Sequence, residues 1–277
     1  MTGVLLALAA SLTWGFSDFG AGVASRRLST FVVAAGAQAA GLTLVAIVVV
    51  ATGDAAPPWR AVAWAVFAGA AGVGGLSAFY RALAVGTMGI VGPITATSAI
   101  VPLVFGLARG ERPSLLQALG IALAIGGVVA ASVERLPEGR RIGTGVGLAV
   151  VAALMFGCSL VGLGRAAPDG LSWAVLIMRM TGFPLMLTVA VLTGTRALPS
   201  RRAALPLAAV GVSDAGATLL YGAASTHGLL SVVSVLASLY PIVIVVLGRL
   251  VLTERVARGQ LAGVAVALAG VALISAG

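Results

Sequence analysis

Long apolar runs separated by short polar segments make up almost the whole chain. A membrane-spanning helix needs about 20 mostly apolar residues, and the chain contains ten runs close to that length. Prolines and arginines fall mainly between the runs, where they favour turns over helix. The pattern therefore predicts ten spanning helices, at approximately 3–23, 31–52, 61–82, 88–108, 114–132, 143–163, 171–193, 204–225, 229–250 and 258–276.

The composition agrees with a chain that is solvated mostly by lipid. Apolar residues form 60% of the sequence and charged residues 9%, whereas a soluble domain carries about 25% charged residues. So few charges cannot cover a surface that faces water. The connections between the runs are short and leave no room for a soluble domain, so we expect an all-α integral membrane protein.

A repeated segment divides the chain into two halves. The sequence ERPSLLQALGIALAIGGVVAAS at 111–132 returns as ERVARGQLAGVAVALAGVALIS at 254–275, with an identical Glu-Arg pair, glutamine and two glycines. The repeat predicts a duplication, with a first five-helix repeat at 1–133, a connecting loop at 134–142 and a second five-helix repeat at 143–277. The glycines recur two helical turns apart and favour close packing of helices five and ten.

The odd number of helices in each repeat fixes how the repeats relate to the membrane. After five crossings the chain is on the opposite side, so the second copy is inserted with inverted topology. Inverted repeats recur in secondary transporters, where the substrate site lies near the midplane between the repeats.

The basic residues of the chain are all arginines, 17 in number. Most lie in the loops that follow odd-numbered helices, and the positive-inside rule places those loops in the cytoplasm. Most arginines lie between apolar runs and form no basic stripe on a folded face, which argues against a nucleic acid as partner. The expected partners are the lipid bilayer and a small-molecule substrate, bound by a monomer.

A few ionisable residues lie inside predicted helices, where charges are costly and usually functional or paired, and three of them are candidates for the site. Asp18, which replaces Leu160 of the second repeat, could bind a substrate amine or a proton, or could pair with an arginine at the headgroups. Asp214 lies near the middle of helix eight and suits either a proton-coupled step or a structural contact. Arg179, which aligns with Gln38, could bind a substrate carboxylate through its planar fork or pair with Asp214 or Asp18.

Hydroxyl groups supply the remaining candidates for a lining of the site. Tyr80 and Tyr221 occupy matched positions of the two repeats, and Thr95 lies on helix four. Three serines of helix nine are spaced three and four residues apart and so share one helical face: Ser231, Ser234 and Ser238. Each hydroxyl could line a cavity or form a hydrogen bond between or within helices.

The ordered motifs of the two halves resemble those of a known family. LTWGFSDFG, FYRALAVG with PITATSAIVP and GERP, and LLYGAAS with LASLYP and TERV resemble the EamA-type transporters of the drug/metabolite transporter superfamily. The resemblance implies a ten-helix carrier of the inner (plasma) membrane that exports or exchanges small metabolites such as amino acids. It also implies cytoplasmic termini, opposite to the arginine distribution, with helices 1, 3, 4, 6, 8 and 9 around a cavity and helices 5 and 10 at the periphery.

These features together predict a secondary active transporter that exports a small, amino-acid-like solute by alternating access. We expect no cofactor and no metal, with proton coupling as an option. A multidrug-type cation exporter, a non-transporting scaffold and the permease subunit of a larger complex are alternatives. The chain lacks HExxH, GxSxG and paired catalytic carboxylates, so we expect that it is not an enzyme.

Overall fold

The computed structural model describes residues 1–85, 88–132, 145–192, 201–253 and 257–277. The connecting loop at 134–142 and the repeated residues Glu254 and Arg255 lie outside this part. The described residues form helices α1 Thr2–Ser25, α2 Thr30–Thr52, α3 Trp59–Val85, α4 Met88–Ala96, α5 Ile100–Ala108, α6 Leu115–Ser132, α7 Val146–Ala166, α8 Leu171–Leu192, α9 Arg201–His227, α10 Leu230–Ala237, α11 Tyr240–Val251 and α12 Arg258–Ala276. Within the described part, ten spans are long and apolar enough to cross a membrane, in agreement with the sequence prediction.

Predicted helices four and nine are each interrupted near their middle, which the apolar pattern did not indicate. A 3-10 turn at Thr97–Ala99 separates α4 from α5, and Ser238–Leu239 separates α10 from α11. Each interruption lies just before a proline, Pro102 or Pro241. Proline has no backbone N–H and leaves the carbonyl one turn earlier without its donor, so each of these spans consists of two shorter helices.

The two repeats exchange helices in matching pairs, with α1 packed on α9 and α7 packed on α3. Equivalent hydrogen bonds hold the two pairs together. The hydroxyl of Ser17 donates to the carbonyl of Val210 at 2.9 Å, and that of Ser159 donates to the carbonyl of Ala68 at 2.8 Å. Ser17 and Ser159 are aligned in WGFSD and FGCSL, so the bonds are related by a pseudo-two-fold axis. The fold is the predicted all-α membrane architecture of two inverted five-helix repeats.

Helices α6 and α12, the fifth helix of each repeat, pack on each other through the repeated glycines. A Cβ atom added to Gly120 would lie 2.6 Å from the carbonyl oxygen of Gly270, and the reverse distance is also 2.6 Å. Any larger residue would force the helices apart. The outer faces of both helices expose large apolar side chains, including Leu119 and Leu268. The predicted packing role of the glycines is confirmed.

Adjacent glycines of α6 allow a matched test of this interface. A Cβ on Gly127 would overlap the backbone of Ala267, whereas a Cβ on Gly126 meets nothing within 4 Å. We expect Gly127→Ala to destabilise the protein by about 2 kcal/mol through overpacking. Gly126→Ala should leave stability unchanged or raise it by up to about 1 kcal/mol, because alanine favours helix. Thermal unfolding of both variants in detergent measures the difference, and equal midpoints would contradict this packing.

The loop after α2 is anchored to the start of α8 in the other repeat. Asp54 accepts hydrogen bonds from the Ser172 hydroxyl at 2.5 Å and the Thr52 hydroxyl at 2.9 Å. The Trp173 indole N–H donates to the Asp54 carbonyl at 2.9 Å. The bond from Ser172, followed by that from Thr52, holds the pKa of Asp54 below its usual value. The anchor joins the repeats at the end of the bundle where α1 begins.

Candidate substrate-binding site

Glu111 closes the bundle at the end where α1 begins. Its carboxylate accepts hydrogen bonds from the backbone N–H of Leu230 and of Ser231, both at 2.9 Å, and from the Ser231 hydroxyl at 2.6 Å. It therefore caps α10 of the other repeat, where unpaired backbone donors favour a negative charge. Gly106 provides the space for the Glu111 side chain, because a Cβ there would overlap this carboxylate. At the same end, Gly3 lies against the backbone of His227.

The opposite end of the bundle is parted. α10 packs against α5, and every residue of α10 is buried. The pseudo-equivalent pair, α4 and α11, shares no comparable interface among the described residues. We call the gap between α4 and α11, together with its extension between the repeats, the central space. The two repeats thus have related sequences, but the helix pair α5 and α10 is packed whereas the pair α4 and α11 is not.

Asp18 faces the central space. On α1, Leu5, Leu12, Phe16 and Val23 are exposed and form the stripe that faces lipid. At 3.6 residues per turn, Asp18 lies about 140° from the centre of that stripe and so points into the bundle. Asp18 is exposed and lies in the half of α1 nearer the parted end. It has no hydrogen bond and no ion pair within the described part, so the predicted alternative of pairing with an arginine is not formed there.

Arg179 forms the predicted ion pair with Asp214, at 2.6 Å between Nη2 and Oδ2. Its Nη1 donates to Gln38 at 2.5 Å and its Nη2 to the Thr218 hydroxyl at 3.1 Å. The Arg179 side chain is 5% exposed and that of Asp214 33%. The Nε atom of Arg179 is buried without a partner in the described residues. Gly41 makes this arrangement fit, since a Cβ there would lie 3.1 Å from Nη1.

The position of this pair follows from the duplication. Gln38 and Arg179 are aligned residues of helices two and seven, and α2 packs on α8. Two pseudo-equivalent residues that touch each other lie close to the pseudo-two-fold axis. Asp214, which pairs with Arg179, is close enough to Asp18 to influence it electrostatically. The sequence analysis offered a pair of Arg179 with Asp214 or Asp18 and aligned Gln38 with Arg179, but it did not indicate that Gln38 and Thr218 bind the guanidinium.

The matched tyrosines are in different environments. Tyr221 is fully buried; its hydroxyl lies 2.8 Å from that of Ser234 and donates to the Leu160 carbonyl at 3.2 Å. Tyr80 is half-buried, packs edge-on against Phe31 at 5.6 Å between ring centroids, and has no hydrogen bond within the described residues. Tyr221 and Ser234 therefore form an interhelical contact at the closed side, while Tyr80 stays a candidate for the lining.

The other predicted hydroxyls are committed to packing contacts. Thr95 is buried and donates to the carbonyl of Val91 at 3.0 Å. Ser238 is buried and donates to the carbonyl of Val235 at 2.8 Å, as serine and threonine in helices commonly do. Ser231 is held by Glu111. The serine stripe of helix nine could line a cavity or form hydrogen bonds, and the structure places all three serines in the packed interior.

Two aromatic residues near Asp18 were missed at the level of sequence. The ring of Trp14 lies 6.5 Å from that of Tyr240 and 5.7 Å from that of Tyr221. Tyr80 and Tyr240 both lie within electrostatic range of the Asp18 carboxylate. Trp14 precedes Asp18 by one helical turn, a spacing that places both on one face and could have indicated it. Tyr240 gave no such signal, because it lies on a different helix from Asp18 and no spacing rule connects the two.

Comparison with known proteins identifies the family. The sequence profile of the EamA-like transporter family matches residues 1–133 and 143–276. The chain belongs to the EamA-like transporter family. This EamA-like transporter is also similar to a solved structure titled "Crystal structure of protein", with 18% identity, a TM-score of 0.80 and coverage of 98% of this chain and 95% of that chain. That likeness concerns the fold alone, and no functionally curated protein matches the sequence. The family makes the chain a multi-pass membrane transporter of the drug/metabolite type.

Proposed function

We propose that this EamA-like transporter is a secondary carrier that exports a small organic solute by alternating access through the central space. The observation that supports the proposal is the unequal closure of the two repeats. α5 and α10 are packed and capped by Glu111, whereas α4 and α11 are parted. Export is the direction that the family resemblance implies.

Near-symmetric repeats supply a simple route between two states. If α4 closes on α11 while α5 separates from α10, the same contacts form at the opposite end, and the bonds of Glu111 break. The central space would then open to one side of the membrane at a time, as in other carriers built from inverted repeats. A solute bound between the repeats crosses without a continuous pore.

Asp18 is the residue best suited to couple transport to protons. Asp214 is committed to Arg179, and Asp18 is exposed and unpaired within the described residues. A single carboxylate can hold a proton or a cationic group, so entry of a proton would accompany exit of the solute. No cofactor enters this scheme.

The purified chain alone should carry out transport. A thermal-shift screen with amino acids, sugars, nucleosides and cationic drugs selects solutes for flux measurements in liposomes that contain only this protein. Saturable flux of a selected solute excludes a scaffold and a subunit that needs partners. Absence of flux for every solute that stabilises the protein would contradict the proposal.

Asp18→Asn tests the coupling step. We expect flux driven by a pH gradient to fall at least tenfold, because asparagine cannot exchange a proton, while the thermal midpoint stays close to that of the unchanged protein. The control is Asp169→Asn, which removes an equal charge from an exposed turn. Gradient-driven flux that persists at the normal rate in Asp18→Asn would remove Asp18 from the coupling step.

A further inference from the structure

The central space contains an acidic side chain, Asp18, that no described residue pairs with. Arg179 neutralises Asp214 at 2.6 Å, and Asp18 has no ion pair of its own in the described part. Charges inside a membrane protein are costly and are usually paired or reached by water. The site of Asp18 therefore favours the binding of one positive charge.

The basic side chain beside this site is not free to bind an anion. Nη1 of Arg179 donates to Gln38, and Nη2 is shared by Asp214 and Thr218. Nε is buried without a partner in the described residues, and the whole side chain is only 5% exposed. A carboxylate of a zwitterionic solute would therefore meet a nearly inaccessible guanidinium whose charge is already neutralised by Asp214. The geometry thus favours a cation over an amino acid zwitterion.

Aromatic residues of three helices lie in the neighbourhood of the same carboxylate. Trp14 of α1 contacts Tyr240 of α11, and Tyr80 of α3 lies with Tyr240 within electrostatic range of Asp18. We call Trp14, Tyr80 and Tyr240 the aromatic cluster. Ring faces attract cations by about 0.5–2 kcal/mol, more as water is removed. They also offer apolar area to the body of a solute.

We propose that the central space binds an organic monocation, with its ammonium group at Asp18 and its apolar or aromatic body on the aromatic cluster. This inference rests on the proposed function and narrows the substrate from small organic solutes in general to this class. A dication is disfavoured, because the second carboxylate, Asp214, is already paired.

Four probes with the same phenyl body separate the charge requirement from hydrophobic binding. They are phenethylammonium, phenethyl alcohol, phenylalanine and 3-phenylpropionate, measured by isothermal titration calorimetry on the purified full-length protein in detergent. We expect phenethylammonium to bind at least tenfold more tightly than the other three. In Asp18→Asn this preference should vanish, and in Asp169→Asn it should remain.

Variants of Tyr80 test the contribution of the rings. Tyr80→Phe keeps the ring and should keep the affinity for phenethylammonium within about twofold, whereas Tyr80→Leu should lower it about fivefold, within the range of a cation–π contact. Equal or tighter binding of phenylalanine, an affinity unaffected by Asp18→Asn, or no detectable binding of phenethylammonium would each overturn the inference.

The outcomes also separate this inference from the transport proposal. Flux of a selected solute without a preference for phenethylammonium would leave transport intact and overturn the monocation assignment. Asp18-dependent binding of phenethylammonium without flux of any solute would support the assignment and contradict transport.

Discussion

Replacing Glu111 by alanine should open the end of the bundle where α1 begins. The carboxylate accepts three hydrogen bonds from Leu230 and Ser231, and bonds to a charged acceptor contribute about 1.5–3 kcal/mol each. In the variant, water forms hydrogen bonds with the freed N–H and O–H groups and replaces part of this free energy. We therefore expect the closed state to be destabilised by about 3 kcal/mol. That shift changes the equilibrium between closed and open forms of this end about a hundredfold.

Distances between spin labels measure this opening directly. Labels on cysteines placed at the exposed positions Arg109 and Thr226, with Cys158 replaced by alanine, report the gap between the loops after α5 and α9. The labelled protein that retains Glu111 should give one short distance. Glu111→Ala should give a longer and broader distribution. Glu111→Gln should lie between the two, because its amide retains one acceptor oxygen.

Arg112→Ala is the matched control, since Arg112 is adjacent to Glu111 and exposed. It should leave the distance distribution unchanged. If Glu111→Ala also leaves the distribution and the thermal midpoint unchanged, the cap on α10 does not hold this end closed.

The role of Glu111 could not be predicted from the sequence. The Glu-Arg pair was recognised as a mark of the duplication, but the cap joins residues 119 apart in the chain. Spacing rules describe neighbours within one helix and contain nothing about such a contact. The glycines of α6 and α12 were predictable, because small residues one or two turns apart indicate a close helix contact whatever the partner.

The exposure of Asp18 could not be predicted from the sequence either, for a different reason. Its environment depends on α4 and α11 being parted while α5 and α10 are packed. The two repeats have similar sequences, so no local pattern states which pair is closed. The ion pair of Arg179 was among the predicted alternatives, since few ionisable residues lie within the spans and each requires compensation. Choosing Asp214 over Asp18 required the structure.

The two single substitutions that break the Arg179–Asp214 pair should lower stability by different amounts. In Asp214→Asn the guanidinium, 5% exposed, remains buried with only neutral partners, Gln38 and Thr218. Removal of one member of a buried pair costs about 3–5 kcal/mol, and we expect about 3 kcal/mol here. In Arg179→Met the remaining carboxylate is 33% exposed to solvent, and solvation should limit the loss to about 1–2 kcal/mol.

The double variant distinguishes this pair from two independent contacts. With both charges removed, no unpaired buried charge remains, so Arg179→Met with Asp214→Asn should be more stable than Asp214→Asn alone. Thermal unfolding in detergent ranks the three variants, with Asp169→Asn as the control for loss of an exposed carboxylate. If Arg179→Met is the less stable single variant, or if the two losses add in the double variant, burial of the guanidinium does not govern the stability of this pair. Rescue in the double variant would show that Arg179 and Asp214 neutralise each other, which leaves Asp18 unpaired among the described residues, as the monocation site requires.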